Sequence, residues 1–236
     1  MGRPIPPVAK EKVLQWFPMA EGSGDVVGYS GGTRKGPTWV EDDKWMGGYA
    51  LSGDGVDDYV ETTNWGEFGT KLNEDFCISF TFVHQDDGDF GRHFSLRTNE
   101  NEGTSGESQR VGVERRPTGL LWEVQSSDGP RIASEHLLSK YNDNKPHRLV
   151  LNKTSNRATG LEIWVDTIED THVNTQQDGF SSSEFLSFSD SVPFFATNDN
   201  STIMTHMNLI LDDVIVYGDS LTESEIQQDY LRQHWS

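Results

Sequence analysis

Glu162 and Asp166 lie four residues apart in residues 161–166, a run that reads as a β-strand. Residues two or four apart on a strand share a face. The pair could therefore do glycosidase chemistry, which sets two carboxyl groups about 5 to 9 Å apart across a sugar cleft. The same spacing also fits a polar pair beside a core tryptophan, Trp164, and on that reading the chain is not an enzyme. Residues 51–61 hold Asp54, Asp57 and Asp58 around Gly53 and Gly55. Hard cations such as calcium take carboxylate and carbonyl oxygens, and a Gly/Asp loop presents several together. An ordinary turn would use the same residues, since glycine tolerates positive φ and aspartate accepts local backbone N–H groups. Sugar recognition asks for an exposed aromatic plane with amides or carboxylates at its rim. Trp39, Trp65, Trp45 and Tyr29 are the candidate planes, with Asn64, Asp42, Asp43 and Glu67 near them in sequence. Each could equally pack in the core.

Other chemistries find little support. The histidines at 84, 93, 136, 147, 172, 206 and 234 show no metal-ligand pairing, and no nucleophilic serine sits in a glycine elbow. Cys77 is the sole cysteine, so no internal disulfide forms, and its place in an apolar strand suits a small buried hydrophobe. With 38 acidic against 19 basic residues and a net charge of -19, the surface repels phosphate backbones and anionic membranes, so nucleic acid is excluded as a partner. Solubility, calcium affinity and a halophilic source each account for that acidity. No apolar run is long enough to insert into a membrane, and residues 1–7 lack the apolar centre of a secretory signal.

Strands must position these groups. Residues 13–17 read as the first, and the glycine-rich stretch 21–36 reads as loop. Further strands are expected at 49–51, 56–61, 76–83, 90–97, 110–114, 120–125, 148–153, 161–166 and 207–217. In the third of these Phe76, Ile78, Phe80 and Phe82 alternate with Cys77, Ser79, Thr81 and Val83, marking a central strand. Residues 178–191, with Phe180, Phe185 and Phe188, read as a packed or a binding loop. Thr222-Glu223-Ser224-Glu225 is a capping box that opens one short helix to about Arg232. Prolines 4, 6 and 7 make residues 1–12 an extended arm that lies over the domain or reaches a neighbour, and residues 13–236 form one domain.

In this order the pieces resemble the laminin G-like, concanavalin A-like jelly-roll domains. Residues 16–24, the block 47–60, the strand pair 146–151 and 161–166, and the closing strand and helix 211–226 carry the likeness. The resemblance implies an all-β jelly-roll sandwich of two antiparallel sheets with one short C-terminal helix. It also implies a structural calcium ion held by Glu21, the backbone of Gly53, and Asp213. Two departures are visible. The family's usual Asp-x-Ser-Gly-Asn-Gly loop stands here as residues 28–33, without its acid and amide, and the glycine after the central strand is Thr167. Enzymes of the family carry closely alternating acids on one strand, and Trp164 interrupts that pattern.

The expected function is a noncatalytic recognition or adhesion module, extracellular or surface-displayed, that binds a surface glycan or glycoprotein. The candidate glycan contacts are Trp65, Trp39, Tyr29 and Asn64. The alternative is a structural protein decorating a larger assembly, such as a cell envelope or the virion surface of a halophile's virus. There the arm would contact assembly neighbours or a second copy.

Overall fold

The structure is a computed structural model that describes residues 4–29, 31–54, 56, 58–62, 74–84, 91–97, 110–116, 119–125, 131–136, 143–154, 160–169, 172–177, 192–195 and 209–233. The strands are β1 (Val13–Phe17), β2 (Gly32–Lys35), β3 (Thr38–Glu41), β4 (Tyr49–Ser52) and β5 (Tyr59–Thr62). There follow β6 (Phe76–His84), β7 (Gly91–Arg97), β8 (Arg110–Arg116), β9 (Gly119–Gln125) and β10 (Arg131–His136). After them come β11 (His147–Lys153), β12 (Leu161–Val165), β13 (Ile168–Glu169), β14 (His172–Gln177), β15 (Val192–Phe195) and β16 (Leu209–Tyr217), and then helix α1 (Glu223–Gln233).

Two eight-stranded antiparallel sheets result. The first runs β13-β12-β11-β6-β16-β4-β3, with β1 on the far half of β16, and the second runs β14-β10-β9-β8-β7-β15-β5-β2. This is the expected all-β sandwich. Strand β6 is buried over its whole length between β11 and β16. Its Phe76, Ile78, Phe80 and Phe82 enter the core between the sheets with Val111, Val113 and Trp122. Each such side chain contributes about 1.5–3 kcal/mol by leaving water. Cys77, on the opposite face, packs with Val150, Ile215 and Tyr217 beneath Leu221 and Ile226 of the closing segment. The first sheet is thus covered on both sides.

A bulge in β16 makes this possible. Asp212 pairs with Thr81 and Ile215 with Ser79, so β16 spends one more residue than β6, and Asp213 sits at φ 46°. A regular strand with Leu209 and Leu211 facing the core would send residue 213 inward as well. The extra residue resets the alternation, so Val214 and Val216 take the core face and Asp213 stays outside. Helix α1 opens on the anticipated capping box: Thr222 N–H donates to Glu225 Oε2 (2.7 Å), and Glu225 N–H to Thr222 Oγ1 (3.3 Å).

Some expectations are corrected. Residues 32–35, read as loop, form β2 because their backbone pairs with β5 at the sheet edge. Strands β3, β10, β13, β14 and β15 fall outside the expected runs, and residues 178–191 lie outside the described residues. The arm lies over its own domain: Arg232 Nη1 donates to the Ile5 carbonyl (2.7 Å), and Lys12 Nζ to the Ser220 carbonyl (2.9 Å). At the altered hairpin, Asp166 (φ 55°) and Thr167 (φ 87°) take up the left-handed conformation that the missing glycine would have adopted freely.

Candidate functional site

The outer face of the first sheet carries a buried set of four charges. Arg148 of β11 meets Asp229 of α1 through Nε (2.7 Å) and Nη2 (3.0 Å), and Asp213 Oδ2 through Nη1 (3.0 Å). Arg232 of α1 binds both aspartates from the other side. Trp16 Nε1 donates to Asp213 Oδ1 (2.8 Å), and Ser79 Oγ to Asp229 Oδ2 (2.7 Å). Burial alone would raise the Asp229 carboxyl, but the two guanidinium groups hold it below its ordinary value. Two positive and two negative groups cancel, so the set fastens α1 and the arm to the sheet. Asp212, next door, is pushed well above the carboxylate range by burial and by Asp213, while its Oδ2 accepts the Met46 N–H (2.8 Å).

The proposed calcium ligands fall in separate settings. Glu21 Oε1 accepts the Val27 N–H (3.2 Å), and burial raises its carboxyl. Gly53 N–H donates to the Leu209 carbonyl (3.1 Å), tying the end of β4 to β16. Asp213 is taken by two arginines and Trp16, so a cation there would have to displace guanidinium groups. Among the described residues no three His, Cys, Asp or Glu side chains gather as a metal site. In the 51–61 turn, Asp58 Oδ2 accepts the Asp54 N–H (2.7 Å) and Asp54 Oδ1 the Val56 N–H (2.8 Å). These acids form the turn.

The acids weighed for glycosidase work also have partners. Glu162 accepts hydrogen bonds from Asn152 Nδ2 (2.9 Å) and Trp164 Nε1 (3.5 Å). Asp166 accepts the Arg148 N–H (2.9 Å) and pairs with His147 Nδ1 (2.6 Å), whose Nε2 meets Asp143 (2.9 Å). Burial pulls the His147 imidazole down, but the hydrogen bonds and charges of Asp166 and Asp143 together lift it above its usual value. The two carboxylates thus serve different hydrogen-bond networks.

Of the glycan candidates, Tyr29 is exposed (63%), its ring edge-on to Trp16 with centroids 6.5 Å apart. Its neighbour Val27 is equally open. Trp39 is half-buried on β3, and its indole N–H donates to the Gly24 carbonyl (3.0 Å), fastening the loop that carries Tyr29. Trp45 is buried with Ala50 and Val83. Trp65 and Asn64 lie outside the described residues.

A feature absent from the sequence-based expectations appears in the second sheet. Arg97 of β7 is directly opposite Arg110 of β8, Arg110 opposite Gln125 of β9, and Gln125 opposite Arg131 of β10. The next rung inward contains Val111 and Val124, both wholly buried between the sheets. Leu121 and Glu123, which alternate with the core residues of β9, are buried as well, so the outer face of this sheet is covered there. The opposed positions come from four strands, so only the register reveals them.

No family model and no characterised protein sequence matches the chain. Solved structures do match in shape. A Trypanosoma rangeli sialidase in complex with sialic acid is 12% identical, with a TM-score of 0.64 over 99% of this chain and 36% of that one. The botulinum neurotoxin serotype D binding domain is 12% identical, with a TM-score of 0.63 over 94% of this chain and 51% of that one. The binding domain of botulinum neurotoxin DC in complex with SialylT is 10% identical, with a TM-score of 0.64 over 94% and 52%. The chain spans about a third to a half of these proteins, and at such identity the likeness establishes the fold alone.

Proposed function

We propose that the chain is a noncatalytic glycan-recognition module that binds through loops of the sandwich. The observation carrying this reading is that α1, the arm and the four-charge set close the outer face of the first sheet. The acids that could have done hydrolysis are also committed to hydrogen bonds within that half of the molecule. Tyr29 supplies an exposed ring on a loop that Trp39 fastens. Similar folds solved with sialic acid and with SialylT lend the reading support. Glycans of this kind are met at surfaces, so surface display belongs to the proposal.

A glycan array probed with the full chain tests it. A defined subset of glycans should retain the protein without being cleaved, and Tyr29→Ala should reduce retention while leaving thermal stability unchanged. Retention of none, or release of sugar products, would overturn it.

A further inference from the structure

Oxygens from the arm, β16 and α1 converge on the Arg232 guanidinium. Nη1 donates to the Ile5 carbonyl (2.7 Å) and approaches Asp213 Oδ1 (3.3 Å), while Nη2 meets Asp213 Oδ2 and Asp229 Oδ1 (3.2 Å). Met46 Sδ lies beside them, 3.2 Å from Nη1. Arg232 and both aspartates are buried. Carboxylate and carbonyl oxygens gathered from distant parts of a chain are what a calcium ion collects. Asp213 is moreover the acid to which the resemblance gives that role, and here its two oxygens are taken by Arg232, Arg148 and Trp16.

Charge decides between the two cations. Arg148 and Arg232 already balance Asp213 and Asp229, so a divalent ion added to the set would leave buried positive charge without a partner, which burial penalises. Without Arg232, one guanidinium would face two carboxylates, and the junction would lack positive charge. Asp212 borders the same junction: its Oδ2 accepts the Met46 N–H (2.8 Å), and its Oδ1 is buried with no hydrogen-bond partner. With Asp212 counted, one guanidinium and one divalent ion balance three carboxylates. The guanidinium is fixed to α1, so the clasp it makes between arm, β16 and helix does not depend on the solution. A clasp made by an ion would follow the ion's concentration by mass action. We infer that Arg232 is a built-in cation that does here what the resemblance gives to calcium, and that its removal opens a divalent-cation site made by Asp213, Asp229 and the Ile5 carbonyl. The inference concerns the junction of the arm with the first sheet and is independent of what the loops bind.

Thermal melting of the full chain in EDTA and in calcium chloride at about 10 mM, above the Kd of about 0.1–1 mM of weak oxygen sites, tests it. The parent should melt at the same temperature in both. Arg232→Ala should melt lower in EDTA and recover about 3 °C or more in calcium. Arg232→Lys, which keeps the charge, should gain nothing from calcium. The double variant Arg232→Ala/Asp213→Asn should lose the recovery. Terbium gives a direct reading, because Trp16 Nε1 lies 2.8 Å from Asp213 Oδ1 and its indole can excite an ion bound there. Indole-excited terbium luminescence should rise in Arg232→Ala above the parent and fall back in the double variant. An equal calcium response in the parent and in Arg232→Ala would overturn the inference, because the ion would then bind elsewhere. No response in Arg232→Ala, or one that survives Asp213→Asn, would overturn it too, leaving Arg232 as an ion-pair partner only. If Arg232→Ala folds in calcium but not in EDTA the inference holds, and if it folds in neither it falls. None of these outcomes bears on glycan retention, so the recognition reading stands or falls separately.

Discussion

Arg148 of β11 and Asp229 of α1, 81 residues apart, join through two parallel hydrogen bonds of 2.7 and 3.0 Å with both side chains withdrawn from water. Removing one partner leaves a buried charge uncompensated, which costs about 3–5 kcal/mol. Asp229→Ala is expected to lower the unfolding free energy from urea titration by that amount, and so the midpoint, and to release α1, seen as a loss of helical circular dichroism. An unchanged midpoint would show that the pair contributes nothing to docking the helix.

His147 makes stability pH-dependent in a defined direction. The groups facing it are Asp143, Asp166 and the Phe82 ring. Its pKa is raised in the folded state, so its contribution is complete below its ordinary value of 6.5 and fades as pH rises through the folded value. Asp143 is lowered to about 2 by the hydrogen bond from His147, so its contribution is present above 3.8 and disappears toward pH 2. The stability gap between the parent and His147→Gln should shrink between pH 6 and pH 9. A constant gap would contradict the pairing.

Lys153 should act with the opposite sign. Burial lowers its ammonium to about 8, against the weaker opposing pull of Asp75, while Nζ donates to the Glu74 carbonyl (2.6 Å). From about pH 8 to 10.5 the unfolded chain holds this proton and the folded chain does not, so stability from this group rises with pH. Lys153→Met should abolish that rise, measured as unfolding free energy against pH.

Gly36 has φ 91°, and a Cβ there would come within 1.9 Å of Asp58 Oδ1. Gly24 has φ 72° with nothing within 4 Å. Gly24→Ala should cost only the backbone strain, about 1–2 kcal/mol. Gly36→Ala should cost more, because it also dislodges the buried Asp58. Equal losses in calorimetry would refute the steric account.

Calcium and chelator should leave the melting temperature nearly unchanged, because Asp213 already neutralises two guanidinium groups. A calcium-dependent rise of several degrees would show that a cation can displace them or bind elsewhere.

The elements most legible from sequence are those whose signal is local. Strand β6 announces itself by strict alternation and α1 by its capping box. The bulge at Asp213 is hidden, because two adjacent aspartates read as a polar interruption until the register shows one residue gained. Strands β10 and β14 lack alternating apolar residues, so periodicity does not reveal them. The four-charge set escaped because Arg148 is 65 residues from Asp213 and 81 from Asp229, although Asp229 and Arg232 do share a helix face. Among site residues, Tyr29 could be proposed by type but its exposure could not.

Strand β16 is placed between β6 and the β1 and β4 pair although β7 to β15 all precede it in the chain. Until residues 209–217 leave the ribosome, the apolar strand β6 has an open edge, and β1 has no sheet to join. Synthesis must therefore pass residue 217 before the first sheet can close. In the cell this favours slow, late and all-or-none folding, with chaperones shielding the waiting edge.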